Sequence, residues 1–526
     1  MEMTLWTTVS TPLWTKLTLR KKTKHRHSQE AGLNMRHGLI VLLVALQGPA
    51  AAAAAGTQLE RIRASASDAF LYDSSGRVRV FHGMNAQTKD APWYPLWMLH
   101  NTTLLDEFAS WGLNMIRIGW MWTGFNPSGP AVFDDEYFDT TQQIVQNLAD
   151  RGIYSLLDMH QDCLSSKFCL YDGAPLWVVN KSVPAHPFPW PLTGDCSSRA
   201  WGKNEVTEAA GRAYQDIYDN TLGMRDDLAA FWRESAKRWA GNTNVLGYEL
   251  INEPFAGDVF QRPELLLPGV AGATNLQPLY AALAAAIREH DDEQLLFYEP
   301  VTWGMEFPSD SNSTAVAKLL GSGFTDVPGG HHYRNRSVLS FHSYVPAWDT
   351  GVVLDAIAAD VRGLGGSSFM TEWGICDDKL GECTRIMELC DGDRFQSWCD
   401  DGGGLGVAAW VPPPAGYVDI LSRTYARAIA GRPLNTSYNQ GTGHFQLCYV
   451  LDAAIAAPTE IFAAFDRHYP NGSATVTATD NVEVVVAEAD RRVTARPKGG
   501  ARVSGETACI SISRKPQPKP AWQQRE

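Results

Sequence analysis

Two glutamates at the ends of strand-like runs have the residue type and the setting for paired-carboxylate chemistry. Glu253 follows the run LGYELIN (246–252), and Glu372 lies near the end of SSFMTEW (367–373). Two carboxyl groups can cleave a glycosidic bond when one protonates the leaving oxygen and the other attacks the anomeric carbon, about 5–5.5 Å away in a retaining enzyme. Either glutamate alone would fit a structural ion pair. The two together predict a catalytic site.

Polar residues near these glutamates could set their roles. Arg117 and Tyr344 could hold Glu372 ionised through charge and hydrogen bonding. Glu253, in a less compensated and more apolar setting, would keep its proton near neutral pH. Asn252 is placed to donate a hydrogen bond to a sugar 2-hydroxyl, a contact that strengthens in the transition state.

Eight strand-like runs alternate with helical patterns between residue 78 and about residue 410. Several runs are almost continuously apolar, as strands buried on both faces must be. The alternation predicts an α/β fold, a (β/α)8 barrel. A doubly wound sheet is the alternative, but it would normally carry a Gly-rich phosphate turn after its first strand, and this sequence has none there. The predicted strands are 78–85, 114–120, 153–160, 245–252, 294–300, 338–344, 367–373 and 405–410, and the predicted helices are 102–112, 138–152, 224–241, 276–290 and 350–363.

A barrel carries its functional residues at the carboxyl ends of its strands. Trp410, at the end of the eighth predicted strand, suits a stacking platform under a sugar ring. His160 could bind substrate or simply cap a strand end. Three converging metal ligands are not apparent, so we expect neither a metal nor a cofactor. The polar and aromatic strand-end residues are Asn85, Arg117, His160, Asn252, Glu253, Glu299, His342, Tyr344, Glu372 and Trp410.

The chain divides into four predicted segments. Residues 57–431 form the catalytic barrel, 432–512 a C-terminal β-sandwich with alternating β-branched residues, and 513–526 a polar tail. Residues 1–56 contain LIVLLVAL (39–46), with basic residues before it and small residues after it, the order of a secretory signal. The run is too short to span a bilayer. An uncleaved membrane anchor through residues 39–55 is the alternative.

Charge and cysteine content narrow the class of protein further. The net charge of −13 argues against a nucleic-acid partner. Nine cysteines without zinc-finger spacing indicate disulfides in a secreted or lumenal protein, and six N-x-S/T sequons fit a glycoprotein. The cysteines lie in two clusters, 163/169/196 and 376/383/390/399, with 448 and 509 beyond them; the sequons begin at Asn101, Asn180, Asn312, Asn335, Asn435 and Asn471.

Longer motifs give a more specific resemblance. NEP (252–254) and TEWG (371–374) resemble glycoside hydrolase family 5, whose retaining barrel enzymes carry the acid/base and the nucleophile at these positions. Over roughly residues 70–480 the chain resembles the endoglycoceramidase subfamily. The segments that carry this resemblance include GMNAQTKDAPWYP (83–95), MHQD (159–162), DGAPLW (172–177), FHSY (341–344) and YARAIAGRP (425–433).

The resemblance implies Glu253 as acid/base and Glu372 as nucleophile. It implies cleavage of the bond between oligosaccharide and ceramide in glycosphingolipids. A peripheral contact with a membrane surface is a separate expectation. Residues implied to bind substrate are Lys89, His160, Asp162, Asn252, Tyr344 and Trp410, to which we add Arg117 and His342. The long segment 161–222 could form one wall of a lipid groove. Candidates for its apolar side, each equally suited to the core, are Trp120, Trp122, Phe125, Trp177 and Phe255.

Two Cys-bearing segments, 163–169 and 376–399, depart from the subfamily pattern and alter loops after strands three and seven. They leave the headgroup preference open. One alternative is a β-glucosidase acting on glucosylceramide or steryl glucoside, and another is a soluble β-glucanase of the same family. A third, from another class, is a non-catalytic glycolipid-binding surface protein. The presence of both glutamates disfavours it, because such a barrel needs neither.

Overall fold

A computed structural model describes residues 56–169, 173–199, 201–301, 321–344, 347–373, 380–391, 397–401, 416–469 and 474–515. Eight parallel strands close into a barrel in sequence order. Three short strands precede it, β1 (Arg63–Ala64), β2 (Leu71–Tyr72) and β3 (Val78–Arg79). The barrel strands are β4 (Gly83–Ala86), β5 (Met115–Gly119), β6 (Tyr154–Asp158), β7 (Val245–Glu249), β8 (Leu295–Tyr298), β9 (Ser337–Ser343), β10 (Ser367–Trp373) and β11 (Ser397–Asp401).

Helices follow the strands in the described part of the chain, and their ends match local sequence signals. The Asn101 side chain accepts the Leu104 N–H at the start of α2, and Gly112 ends that helix with a φ of +93°. The helices are α1 (Trp97–His100), α2 (Thr102–Trp111), α3 (Trp122–Phe125), α4 (Asp135–Ala149), α5 (Leu176–Val179), α6 (Glu208–Tyr218), α7 (Met224–Trp239), α8 (Gln277–Arg288), α9 (Ala347–Leu364), α10 (Leu380–Asp391), α11 (Tyr417–Leu421) and α12 (Phe465–His468).

Two antiparallel sheets pack face to face beside the barrel. One has the strand order β1-β2-β3-β12-β15-β18-β17 and the other β13-β14-β19-β16, so the N-terminal strands belong to the sandwich. Ile429, Ile461 and Val493 of the first sheet share a buried core with Leu447 and Ile510 of the second. The strands are β12 (Tyr425–Ile429), β13 (Gly431–Asn439), β14 (His444–Leu451), β15 (Thr459–Phe462), β16 (Ala474–Ala478), β17 (Val482–Ala487), β18 (Arg492–Pro497) and β19 (Thr507–Arg514).

The predicted (β/α)8 fold is confirmed, but the first predicted strand was wrong. The run 78–85 divides into β3, which pairs in the sandwich, and β4, which opens the barrel. The Asn114 side chain supports the break: it accepts the His82 N–H at 2.8 Å and donates to the Val80 carbonyl at 2.7 Å. These contacts satisfy backbone groups that a strand ladder would otherwise pair.

The closing strand also differs from the prediction. The structure closes the barrel with Ser397–Asp401, which pairs with β10 through Ser368 and Ser397 and with β4 through Asp400 and Gly83. The hydropathy pattern did not predict a strand here, because the two apolar residues of this segment are flanked by serine and aspartate. The predicted strand 405–410, including Trp410, lies outside the described residues.

Disulfides link described cysteines as the sequence predicted. Cys169 bonds to Cys196 inside the long segment after β6, and Cys448 bonds to Cys509 between adjacent sandwich strands. Cys163 is a buried thiol. The disulfides indicate an oxidising compartment. Among the residues that the structure describes, none of the helices has both the length and the apolar composition needed to cross a bilayer. The signal-like segment and the sequons at Asn312 and Asn471 lie outside the described ranges.

Candidate active site

Arg117 organises the carboxyl-end mouth of the barrel. Its side chain projects from β5, is fully buried, and contacts residues from four other strands or the loops that follow them. Burial alone would lower the pKa of Arg117, but the surrounding carboxylates raise it well above its ordinary value. Its contacts are Asn85 (from Nη1, 3.0 Å), Asp158 (Nη2, 3.1 Å), Glu249 (Nε, 2.5 Å), Asn252 (Nη2, 2.7 Å) and Glu372 (Nη1, 2.6 Å).

Glu372 is held as a carboxylate. Arg117 donates to its Oε1, and the Tyr344 hydroxyl donates to its Oε2. Burial alone would raise the pKa of Glu372, but the charges of His342 and Arg117 and the Tyr344 hydrogen bond lower it to about 2. Glu372 is therefore ionised at neutral pH, as a nucleophile must be.

Glu253 lies across the mouth in a different setting. It follows β7 with a φ of +40°, a region that residues other than glycine seldom adopt. Its side chain is 18% exposed, and its Oε1 lies 2.7 Å from His342 Nδ1. The expected apolar surroundings were wrong, because a charged ring from β9 and the Glu299 carboxyl from the end of β8 flank it.

His342 joins the acidic groups. Its Nδ1 lies 2.7 Å from Glu253, 3.4 Å from Glu299 and 3.9 Å from Glu372. Burial alone would lower the pKa of His342, but the three carboxyl groups raise it to about 10. The ring is an imidazolium at neutral pH. Glu299 is enclosed beside it, and burial raises the pKa of that carboxyl well above its ordinary value despite the charge on His342.

The separation of the two glutamates fits one stereochemical class. A carboxylate oxygen of Glu253 lies within 4.8 Å of one of Glu372. Retaining glycosidases hold their carboxyl groups about 5–5.5 Å apart, whereas inverting ones leave about 6.5–9.5 Å for a water molecule. The geometry therefore favours retention.

We predicted no set of three converging metal ligands from the sequence, and that prediction of the side-chain arrangement was wrong. Two such groups converge within 4.8 Å: Glu249, Glu299 and His342, and Glu253, His342 and Glu372. Both depend on a nitrogen of His342. Because the imidazolium carries a proton on each ring nitrogen, it must lose one before it can bind a metal. In the second group, His342 Nδ1 instead donates a charge-assisted hydrogen bond to Glu253 at 2.7 Å.

A second polar group extends the site along β6 and the loop after it. His160 Nδ1 lies 2.7 Å from Asp158 Oδ2, and Lys89 Nζ lies 2.6 Å from Asp162 Oδ2. Burial, with the nearby charge of Lys89, lowers the pKa of His160 to about 3, so the ring is neutral. With Nδ1 donating to Asp158, its Nε2 is an acceptor, buried and without a hydrogen bond among the described residues. A substrate hydroxyl is a suitable donor to it.

Comparison with known proteins identifies the family. A model described as cellulase (glycosyl hydrolase family 5) matches residues 72–397, and a model of the glycoside hydrolase family 5 C-terminal domain matches residues 423–512. The chain belongs to glycoside hydrolase family 5. The resemblance drawn from the sequence is confirmed, and the protein is a glycoside hydrolase.

Three relatives of this family 5 hydrolase are named as endoglycoceramidases. Endoglycoceramidase of Hydra vulgaris is 37% identical over 432 residues, covering 76% of this chain and 80% of the relative. Endoglycoceramidase of Cyanea nozakii is 37% identical over 450 residues, covering 78% and 86%. The solved structure of endo-glycoceramidase II from Rhodococcus sp. is similar with a TM-score of 0.66 and 25% identity, covering 85% of this chain and 100% of that one.

The predicted site consists of the two catalytic glutamates and eight substrate-binding residues, and nine of these ten form one connected group in the structure. The tenth, Trp410, lies outside the described residues. The residues predicted as candidates for the apolar side of a lipid groove lie elsewhere. Trp120, Trp122, Phe125 and Phe255 are buried in the main core and do not line a groove, and Trp177 is partly buried against them. The connected residues are Lys89, Arg117, His160, Asp162, Asn252, Glu253, His342, Tyr344 and Glu372.

Sequence reasoning assigned no role to several residues that complete the site. Asp158 and Glu249 are the last residues of β6 and β7, and the one available signal in the sequence is an acid within an apolar run. Glu299 was recognised as a strand-end acid, but its contact with the Glu253 backbone was not. Gln161 lies between His160 and Asp162, and no pattern distinguished it from a neutral loop residue.

Tyr344→Phe is expected to move the acid limb of the kcat/KM profile to higher pH. In the wild type, the hydrogen bond from Tyr344 lowers the pKa of Glu372. Without it that pKa rises, so at acidic pH a larger fraction of Glu372 is protonated and inactive. A hydrogen bond to an ionised group contributes about 1.5–3 kcal/mol, so activity should also fall roughly 10- to 100-fold. Activity is measured across pH on an aryl glycoside.

Tyr333→Phe is the matched control for this test. Tyr333 also donates to a carboxylate, Asp292 Oδ1 at 2.7 Å, but on the exposed surface. Its removal should leave the profile unchanged. An unaltered acid limb in Tyr344→Phe would show that the hydroxyl does not influence the ionisation of Glu372.

Proposed function

We propose that this family 5 hydrolase is a retaining endo-glycosidase that cleaves the β-glycosidic bond between oligosaccharide and ceramide of glycosphingolipids. The observation that carries the proposal is the convergence of Glu253 and Glu372 within 4.8 Å, with Glu372 held ionised and Glu253 partly exposed at the mouth. The substrate class is supported by two endoglycoceramidases that are 37% identical over most of the chain.

In the first step, the Glu372 carboxylate attacks the anomeric carbon while Glu253 gives its proton to the glycosidic oxygen. The bond to oxygen breaks, ceramide leaves as an alcohol, and the sugar stays on Glu372 as an ester. The Glu253 carboxylate formed in this step accepts a hydrogen bond from the His342 imidazolium, 2.7 Å away in the structure. This contact stabilises the negative charge that appears on Glu253.

In the second step, the Glu253 carboxylate removes a proton from water, and the water oxygen attacks the same carbon. Glu372 is released as a carboxylate, and two inversions give net retention. Arg117 and Tyr344 stabilise the departing carboxylate as they stabilised the nucleophile. Sugar hydroxyls have suitable partners in Asn252, His160 Nε2 and the Lys89–Asp162 pair.

Product analysis tests the proposal. The protein, made in a secretory host, is incubated with detergent-dispersed ganglioside, lactosylceramide and glucosylceramide, and separately with a soluble β-glucan. The products are identified by mass spectrometry. Intact oligosaccharide plus ceramide is the expected result. Glucose from glucosylceramide alone would move the enzyme to the monoglucosyl-lipid branch. Cleavage of soluble β-glucan alone would exclude the lipid assignment, and binding without turnover would favour a glycolipid-binding protein.

We further propose a secreted or lumenal enzyme, directed by the N-terminal signal-like segment, that contacts lipid surfaces peripherally. The described disulfides support the compartment. Exposed apolar side chains support the surface contact, because they lie in loops that follow β6 and β7 at the catalytic end of the barrel. They are Val183, Trp190, Phe260, Leu266 and Leu267, and the rings of Trp190 and Phe260 are 5.3 Å apart.

The double variant Phe260→Ser/Leu267→Ser is expected to slow cleavage of glycolipid in phospholipid vesicles well over tenfold. Burying each of the two side chains contributes roughly 1–2 kcal/mol, and about 1.4 kcal/mol corresponds to a factor of ten. Hydrolysis of a soluble aryl glycoside should be unchanged. Val485→Ser, on the sandwich, is the matched control, because Val485 and Leu267 are both 59% exposed. Equal rates on vesicles for both variants would contradict the surface contact.

A further inference from the structure

The turn that carries Glu253 needs support from its surroundings. Glu253 has a φ of +40°, a backbone conformation that is strained for a residue other than glycine. β7 ends at Glu249, so Asn252 and Glu253 lie beyond the strand that could fix them through its ladder. Since the acid must reach the glycosidic oxygen within hydrogen-bond distance, the turn that aims it must be well fixed.

Gln161 holds one side of this turn. Its Nε2 donates to the carbonyl of Asn252 at 2.6 Å and to the carbonyl of Glu253 at 3.0 Å. The backbone carbonyl of Gln161 accepts from Asn252 Nδ2 at 2.8 Å. Gln161 is completely buried, so water does not compete for these contacts. One side chain therefore binds two successive carbonyl groups at the positive-φ residue.

Gln161 is itself held in one orientation. The Leu164 N–H donates to its Oε1 at 2.6 Å, and the Tyr214 hydroxyl donates to the same atom. Tyr214 is in turn 3.1 Å from Glu205 Oε1. With donors fixed on Oε1, the amide group must present its N–H groups to the turn. The segment after β6 thus supports the catalytic turn through a chain of buried polar contacts.

Glu299 holds the other side. Its Oε2 accepts the Glu253 N–H at 2.7 Å from the end of β8, and its side chain is buried. The N–H and the carbonyl of Glu253 are therefore bound by side chains from opposite flanks, one after β6 and one after β8. Such two-sided contact can maintain a strained conformation that neither contact would maintain alone.

We propose that Gln161 is a positioning residue for the general acid. With Glu299 it clamps the Asn252–Glu253 turn and so directs the Glu253 carboxyl toward the leaving oxygen. The proposal rests on the proposed role of Glu253 as acid. It has a specific kinetic consequence: a loosened turn slows departure of leaving groups that need a proton and spares those that do not.

The test uses aryl β-glycosides whose phenols range from strongly acidic dinitrophenol to weakly acidic phenol. In Gln161→Met, kcat/KM should fall about 10²-fold for the phenyl glycoside and less than about threefold for the dinitrophenyl glycoside. Gln161→Glu, which keeps the shape but replaces the donating NH₂ group by oxygen, should act in the same direction. Tyr214→Phe, which removes a contact one step away, should give a smaller loss with the same dependence on the leaving group.

Gln294→Met is the matched control. Gln294 is also buried and donates to a backbone carbonyl of β7, that of Val245, but at the opposite end of the strand. The Gln294→Met substitution should destabilise the protein without altering how kcat/KM depends on the leaving group. Equal losses across the series in Gln161→Met, or a dependence like that of Gln294→Met, would overturn the proposal. If Gln161→Met fails to fold, Tyr214→Phe decides by the same criterion.

The outcome is separate from that of the proposed function. If the wild-type protein hydrolyses the aryl series but releases no ceramide, the proposed lipid substrate is wrong. The effect of the Gln161 variants on kcat/KM can still be measured on the aryl series. If Glu253→Gln leaves the leaving-group dependence of the wild type unchanged, the acid assignment fails, and the clamp proposal fails with it.

Discussion

Glu372→Gln is expected to lower kcat/KM roughly 10⁴-fold or more on every glycoside, whatever its leaving group, because the atom that attacks the anomeric carbon is lost. The amide can still accept from Arg117 and donate or accept near Tyr344, so the fold should persist. Residual activity, thermal unfolding and binding of an uncleaved substrate analogue are measured together. Turnover near the wild-type rate would exclude Glu372 as nucleophile.

A smaller variant makes the role more specific. In Glu372→Ala, azide can enter the vacated space and attack the anomeric carbon directly, so an activated β-glycoside should give the α-glycosyl azide. Glu249→Gln is the matched control: it removes another carboxylate from Arg117, but one that is fully buried and turned toward Thr371. Its loss of activity should be much smaller, and azide should not restore it.

The strands and their functional ends were predictable because two simple rules applied. The segment 367–373 is β10 residue for residue, since the repeated alternation of strand-like runs with helical patterns requires a strand between the helices on either side of it. Parallel strands bring their carboxyl ends to one edge. That rule placed Arg117, Glu253 and Glu372 together although they are far apart in sequence.

What the sequence did not reveal depends on contacts between distant segments. His342 reaches Glu253 across 89 residues and makes its surroundings charged, where local sequence suggested an apolar pocket. In the sequence, Asp158 and Glu249 are acids in apolar runs with no evident partner. The structure shows that both form ion pairs with Arg117. The aromatic residues after β5 looked like candidates for a lipid groove, but Trp120 and Trp122 pack into the core. Hydropathy alone does not distinguish an aromatic residue that lines a groove from one that packs in the core.

Strand pairing was a further limit. The run 78–85 has one continuous pattern, yet it supplies β3 to one sheet and β4 to another. The division depends on the Asn114 side chain, which comes from a different strand connection. In the same way, the support of Glu253 by Gln161 and Glu299 requires three strand ends to be adjacent. No local pattern reports such adjacency.

Glu253→Gln is expected to lower kcat/KM roughly 10²- to 10⁴-fold for glycolipid and to change it little for a dinitrophenyl glycoside. Ceramide leaves as a poorly stabilised alkoxide and needs the proton, whereas dinitrophenolate does not. Glutamine has nearly the shape of glutamic acid, and its oxygen can still accept from His342 Nδ1, so the change isolates the proton. Initial rates on both substrates provide the measurement. Glu289→Gln is the control, because Glu289 is an exposed glutamate directly after α8 that pairs with Arg233.

The second step gives an independent check on the same variant. Without a base, water attacks the glycosyl ester slowly, so a dinitrophenyl glycoside should show a burst of phenolate followed by slow turnover. Azide needs no deprotonation, so it should restore turnover and give the β-glycosyl azide, the opposite anomer from that of Glu372→Ala. Equal losses on both leaving groups would contradict the acid role. The same anomer from both variants would show that the two glutamates do not act from opposite faces of the sugar ring.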